Sequence, residues 1–265
     1  CIRDRRIGIP IVPHYLSGII LNQGDRIMID KMVGKTEVAL YGLAYSIGML
    51  VQLFISGMNS ALTPWMYSKI KKGDIRSMRK VLQLLSVVVV GIAVALMLIS
   101  PELVLIFGSP KYREAVYVIP PVAASVFFIF IYNILSMPQF YYEKTQFLMA
   151  ASMAAAGANV VLNFIFIRLF GYIAAGYTTL ACYMLYSVGH YIVSKRILVN
   201  EGIQENLMNP GFLLACSVFL IGASIICNLI FPYRILRYAI LLASAGLVFW
   251  KKELLLKTMA DIRKK

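Results

Sequence analysis

Acidic residues are scarce in this 265-residue chain: 12 Asp and Glu stand against 26 Lys and Arg. Histidine occurs twice and cysteine four times. The histidines, His14 and His190, lie far apart, and the cysteines (Cys1, Cys182, Cys216 and Cys227) form no CxxC pair. A metal site needs convergent His, Cys or carboxylate ligands, so no metal site is expected. Three of the cysteines sit in apolar runs, where a thiol acts as a small buried hydrophobe. Cys216 and Cys227 share a helix face, which reads as packing; no disulfide framework or zinc spacing appears. There is no GxSxG, no HExxH and no glycine-rich phosphate loop with a lysine. No catalytic residue can be named, and no enzyme is expected. No stretch alternates as a strand does, and no polar segment is long enough to fold as a soluble domain. No basic-then-apolar leader with a cleavage site opens the chain, and its first residue is Cys1. The expectation is a piece from the C-terminal side of a longer protein.

What the chain has in quantity is apolar surface. It is 60% hydrophobic and 14% charged, with mean hydropathy +0.77. Soluble domains run at about 45–50% apolar and about 25% charged. The composition is that of a polytopic, all-α membrane protein. The net charge of +14 does not imply a nucleic-acid partner. Its Lys and Arg cluster between apolar runs, where they set topology and meet anionic lipid head groups.

A spanning helix needs about 20 mostly apolar residues. Eight stretches qualify: Gly8–Met32, Tyr41–Tyr67, Val81–Phe107, Ala115–Phe140, Gln146–Phe170, Tyr172–Val193, Gly211–Phe231 and the shortest, Ile235–Trp250. One orientation gathers most of the basic residues on one side. That side holds Arg3, Arg5 and Arg6, the Lys69–Lys80 loop, Lys144, Lys195 and Arg196, and a tail running from Lys251 to Lys265. Lys31, Lys35, Lys111, Arg113, Arg168, Arg234 and Arg237 fall on the other. The asymmetry places both termini in the cytoplasm and the protein in the cytoplasmic (inner) membrane.

The first span is the unusual one. Pro10 to Asp30 carries His14, Asn22, Asp25, Arg26 and Asp30 in an otherwise apolar run. Ionisable groups within a membrane are costly and face protein or a watery cavity. At 3.6 residues per turn, His14, Gly18, Asn22 and Asp25 share a face that Arg26 and Asp30 extend. The Asp25–Arg26 pair has two readings: a cavity-facing ionic centre, or an ion pair that fixes packing. Adjacent residues point about 100° apart, so each needs a further partner. His14 lies near the inner end of the helix and Asp30 near the outer.

In the fifth span, Asn159 and Asn163 are one turn apart and share a face. Such amides act either as helix–helix glue or as substrate contacts. Arg168 snorkels at the outer boundary, and Gly171 marks a tight turn. Asn59, in the second span, is a further polar candidate. Pro64 and Pro138 are candidate hinges or kinks, since membrane helices tolerate proline where neighbours re-satisfy the backbone. The tyrosines Tyr183, Tyr186 and Tyr191 run with His190 through the sixth span and read as packing or an interfacial belt. The outer carboxylates Glu37 and Glu114 are isolated in sequence.

Three stretches carry a family resemblance: IPIVPHYLSGIILNQGDRIMIDKMVGKTEVALYGLAYSIG, SALTPWMYSKIKKGD and ANVVLNFIFIRLFGYIAAGYTTLACY. In this order and spacing they resemble the C-terminal half of the Wzx-like polysaccharide biosynthesis proteins, the O-antigen and capsule flippases. That superfamily also holds multidrug and toxin extruders and the lipid II flippase. The resemblance runs over about Ile9 to Arg196. It implies the second lobe of a MATE-like fold: residues 1–197 as a six-helix lobe, and 198–265 as two further spans with a basic cytoplasmic tail. It also implies that Pro10–Asp30 borders a central cavity whose other wall is an N-terminal lobe.

The implied function is translocation of a polyprenyl-pyrophosphate-linked oligosaccharide, an O-antigen or capsule repeat unit, by a transporter of which this chain is a part. Asn22, Asp25, Arg26, Asn159 and Asn163 are the cavity candidates, with His14, Asp30 and Asn59 behind them. Arg26 suits the pyrophosphate. Asp25 suits either a partner for Arg26 or a coupling ion, H+ or Na+; no other cofactor is expected. The implied partners are membrane lipids, the lipid-linked oligosaccharide, the N-terminal lobe and the polysaccharide assembly machinery. The alternatives are a cation-coupled multidrug-type exporter of the same fold, a membrane-embedded glycan polymerase or ligase, and a scaffold without transport. If the first helix walls a cavity, the polar face of Asn22, Asp25 and Arg26 should be uncovered in this chain.

Overall fold

The computed structural model describes the backbone of residues 2–250, and side chains within residues 12–244 and at 246. Cys1, the side chains of Pro10, Arg3, Arg5 and Arg6, and the tail from Lys251 to Lys265, invoked above, lie outside the described residues. Among the described residues the fold is all-helical, with no strand. The helices are α1 (Ile2–Met32), α2 (Lys35–Gly48), α3 (Leu50–Lys71), α4 (Ile75–Phe107), α5 (Ile119–Tyr141), α6 (Thr145–Phe170), α7 (Ile173–Asn200), α8 (Pro210–Ile230) and α9 (Arg234–Trp250). A 3-10 segment, Pro110–Val118, leads into α5.

Five helical stretches are long and apolar enough to cross a membrane: Lys35–Lys71, Ile75–Phe107, Pro110–Tyr141, Thr145–Phe170 and Pro210–Ile230. α1, α7 and α9 occupy the other three expected positions. By the same measure α1 and α7 are too polar, and α9, with 17 residues, is too short. Part of the polarity of α1 and α7 belongs to the candidate site, with Asp25 on α1 and Thr179 on α7.

α5 is the axis of the bundle. Its IPPVAASVFFIFIY start is apolar on every side, and a helix apolar all round is buried. Nearly all of α5 is covered, by α2, α3, α4, α7 and α8. Pro120 and Pro121 start it where a missing N–H costs nothing. Lipid is as apolar as leucine, so close packing and small residues hold such a bundle together. At the start of α7, a Cβ on Gly176 would lie 3.1 Å from Pro121.

Both candidate prolines lie inside helices. α3 runs unbroken through Pro64, and α5 through Pro138. The second span is interrupted at Met49, between α2 and α3. Preceding it, Gly48 is pressed onto α5, where a Cβ would come within 2.9 Å of the Val122 Cβ. Gly171, between α6 and α7, has φ 73°, the left-handed turn that its glycine allows.

Two charges counted as loop residues are buried. Lys69, 4% exposed, pairs with Asp74 at 2.6 Å, and Asp74 caps α4 by accepting from the Ser77 N–H. Arg237, 3% exposed, grips Glu102 of α4 with two 2.8 Å bonds and donates to the Leu98 carbonyl at 2.7 Å. At the other end of α4, Arg79 donates to the Asn206 carbonyl at 2.7 Å and so holds the α7–α8 connection. α4 therefore docks the α8–α9 hairpin at both ends. The thiols of Cys182 and Cys227 are buried and unpaired, as is the half-buried Cys216.

Removing one partner of a buried pair strands the other charge. Glu102 is 25% exposed, so Arg237→Ala is expected to cost about 1.5–3 kcal/mol, the range for hydrogen bonds to a charged group, seen as a lower Tm in detergent. Adding Glu102→Gln should recover part of that loss. An unchanged Tm for Arg237→Ala would show that this pair does not hold α9.

Candidate functional site

The polar residues of α1, α2, α6 and α7 meet in one place because these helices pack in sequence: α2 on α1, α1 on α6, and α6 on α7. Asp25 of α1 is at the centre and 0% exposed. Its Oδ2 accepts from the Tyr41 hydroxyl of α2 at 2.5 Å and from the Thr179 hydroxyl of α7 at 2.6 Å. Its Oδ1 accepts from the Asn163 amide of α6 at 2.5 Å. The same Asn163 amide reaches the Asn159 carbonyl oxygen at 3.1 Å, and Asn163 Oδ1 accepts from Thr178. Asn159 and Asn163 are both 0% exposed. The Asn159 Nδ2 group is buried with no protein acceptor.

A second rung lies beside the first. Tyr41 and Tyr45 are one turn apart on α2, as are Asn22 and Asp25 on α1. Tyr45 donates to Asn22 Oδ1 at 2.8 Å, while the Asn22 amide returns to the Gly18 carbonyl at 2.7 Å. Two tyrosines thus grip two polar residues of the first helix.

Arg26 does not pair with Asp25. Its Nη1 donates to Gln23 at 2.9 Å, and its guanidinium carbon sits 5.3 Å from the Tyr45 ring centre. Its Nε is buried without a partner. The 100° between neighbouring residues points the carboxylate into the bundle and the guanidinium towards its surface. Among the described residues, no ion pair reaches Asp25.

This corrects the expectation of an uncovered polar face. Asp25 is sealed by α2, α6 and α7; Asn22 and Arg26 are half-covered. The uncovered face of α1 carries Tyr15, Leu16, Ile19 and Ile27, with Gln23 and Asp30. Asp30 is exposed and outside the cluster. His14 is half-buried, 3.2 Å from the Tyr186 hydroxyl, and Asn59 is half-buried on α3. Neither bonds to the Asp25 group. Arg168 is exposed and lies over the Phe164 ring at 4.0 Å, consistent with snorkelling.

Sequence reasoning missed Tyr41, Thr178 and Thr179. The signal was two adjacent hydroxyls early in α7 and a tyrosine 16 residues beyond Asp25. Among the described residues, no three His, Cys, Asp or Glu converge. Asp25 is met by two hydroxyls and one amide N–H, and the side-chain oxygens of Asn159, Asn163 and Thr178 lie one hydrogen bond further out; oxygen donors are hard and suit a proton or an alkali cation better than a transition metal.

The MatE family matches residues 10–165. The chain is 29% identical over 154 residues to "Lsg locus putative protein 1" of Haemophilus influenzae, covering 55% of this chain and 37% of that one. It is 31% identical over 147 residues to an "Uncharacterized membrane protein" of the same organism, covering 52% of this chain and 35% of the relative. Each match therefore takes in little more than a third of the relative. No solved structure matches the chain.

If Asn163 is the bridge between α1, α6 and α7, Asn163→Leu strands Asp25 Oδ1 and the Asn159 side-chain oxygen, while Thr178 keeps its bond to the Ala175 carbonyl. A loss of about 1–3 kcal/mol is expected, read by thermal unfolding. Tyr41→Phe should cost a similar amount. Wild-type stability in both variants would show that the cluster does not hold these helices.

Proposed function

This chain belongs to the MatE family, and we propose that it forms the C-terminal lobe of a transporter that moves a lipid-linked oligosaccharide across the cytoplasmic membrane. The observation that carries the reading is the separation of Asp25 from Arg26. Among the described residues, one buried carboxylate has no cationic partner, and one half-buried guanidinium has no anionic partner. A buried carboxylate needs a positive charge or a proton. A guanidinium with unfilled donors suits a phosphate-bearing substrate. The two halves of an ion pair are thereby free for two different ligands.

In this reading Asp25 holds the coupling ion, H+ or Na+. Tyr41, Asn163 and Thr179 orient its carboxylate, and the Asn159 and Asn163 carbonyl oxygens and the Thr178 hydroxyl stand nearby as further hard donors. The coupling ion neutralises Asp25 and so lowers the cost of packing α1 against α6 and α7. Occupancy thus changes how firmly α1 is held. Arg26, on the other side of α1, meets the pyrophosphate in a cavity completed by an N-terminal lobe. Rocking of two lobes carries the head group across.

The fold assignment divides at about residue 197, with α8 and α9 as the added spans. Both termini lie in the cytoplasm, a placement supported by the basic α3–α4 connection. Membrane lipids and the polysaccharide assembly machinery complete the partners. A second reading, a cation-coupled exporter of small molecules, uses the same Asp25 group and differs in what meets Arg26.

Two variants of the complete transporter separate these roles. Arg26→Ala should lower surface polysaccharide about tenfold at matched protein level, the effect of one lost charge-assisted contact. Unchanged polysaccharide, with loss of small-molecule efflux, would favour the second reading. Asp25→Asn should uncouple transport from the ion gradient. Export that still follows the gradient in Asp25→Asn would remove Asp25 from the coupling role.

A further inference from the structure

α7 carries a line of buried polar side chains: Thr179, Tyr183, Tyr186, His190 and Ser194. Steps of three or four residues keep them on one face. None is more than 4% exposed. One end of the line touches Asp25 through Thr179. The other lies within two turns of the end of α7 at Asn200.

Neighbouring helices add polar groups to this line. From α1, His14 Nδ1 lies 3.2 Å from the Tyr186 hydroxyl. From α5, the Tyr132 ring is 4.6 Å from that of Tyr186, and the Gln139 amide is 2.7 Å from His190 Nδ1. From α6, Ser152 approaches Tyr186, and from α2, Tyr45 approaches Tyr183 with Arg26 over its ring.

The line is incomplete as protein alone. His190 Nε2, Gln139 Oε1 and Ser194 Oγ are all buried with no protein partner. The Gln139 amide donates to His190 Nδ1, which puts the imidazole proton on Nε2. That N–H is then a donor without an acceptor, and Gln139 Oε1 an acceptor without a donor. Buried polar groups left over by the protein are filled by ordered water. A water molecule supplies both the lone pair and the proton that these atoms need.

We propose that the α7 line holds a chain of ordered water molecules, and that this hydrated line is the inner-side access path to the Asp25 pocket. The path rests on the reading of Asp25 as the coupling site. Its walls are phenols, two imidazoles, an amide and hydroxyls, which exchange hydrogen bonds with water and relay protons. Among the described residues, no carboxylate or ammonium stands between Ser194 and Thr179 on this line; the nearest charged group is the Arg26 guanidinium over the Tyr45 ring, beside its Asp25 end.

The test is X-ray radiolysis of the complete protein in membranes, read by mass spectrometry. Bound water is split into hydroxyl radicals that mark the side chains touching it. Tyr186 and His190 should be labelled several-fold above Phe127 and Phe130, which are buried to 0% exposure in the apolar axis. Gln139→Leu combined with His190→Phe should bring Tyr186 down to the level of Phe127 and slow export. Labelling of Tyr186 and His190 no higher than that of Phe127 in the unaltered protein overturns the proposal. A labelled line with full export by the double variant overturns the access role. Radiolysis of the unaltered protein does not depend on coupling at Asp25. A dry line therefore removes the path alone, whereas gradient-dependent export by Asp25→Asn removes the coupling role alone.

Discussion

The lobe depends on a carboxylate held among neutral donors. Burying an ion costs several kcal/mol even after relaxation. Hydrogen bonds to a charged group return about 1.5–3 kcal/mol each, and Asp25 receives three, from three different helices. They offset much of the cost while joining α1, α2, α6 and α7. What they do not supply is a positive charge. The cluster is therefore both the joint of these helices and a place where one cation changes the energy of the joint.

The rest of the fold lets this joint exist. α5 takes up the apolar packing and carries no ionisable group that competes for Asp25. α4 anchors the α8–α9 hairpin through Arg79 at one end and Glu102 at the other. The polar chemistry around Asp25 is left to α1, α2, α6 and α7, the first lying on the outside of the bundle with one face uncovered. Because Arg26 is turned about 100° from Asp25, the carboxylate and the guanidinium face different surroundings on one helix.

Much of this was legible in the sequence, for particular reasons. The helix positions follow from hydropathy, the strongest signal in a membrane chain. Asp25, Asn159 and Asn163 stand out because such residues are rare in membrane helices. Their partners do not stand out. Tyr41, Thr178 and Thr179 are ordinary residues of such helices, and the bonds from Asn163 and Thr179 to Asp25 cross 138 and 154 positions. A helical wheel gives the face of Asp25 but not what covers it, so a sealed carboxylate was expected to be open. Lys69 and Arg237 were read as loop charges because counting ignores pairing with Asp74 and Glu102. The contact of Gly48 with Val122, which accompanies the break at Met49, leaves no mark in the sequence.

The central claim is that the Asp25 pocket accepts a proton or a small cation. Infrared difference spectroscopy of the carboxyl C=O stretch, recorded while pH and sodium are varied, addresses it directly. The account predicts a buried-carboxyl band that responds to one of the two ions and is missing in Asp25→Asn. Identical spectra for the unaltered protein and Asp25→Asn, with no response to either ion, would contradict it.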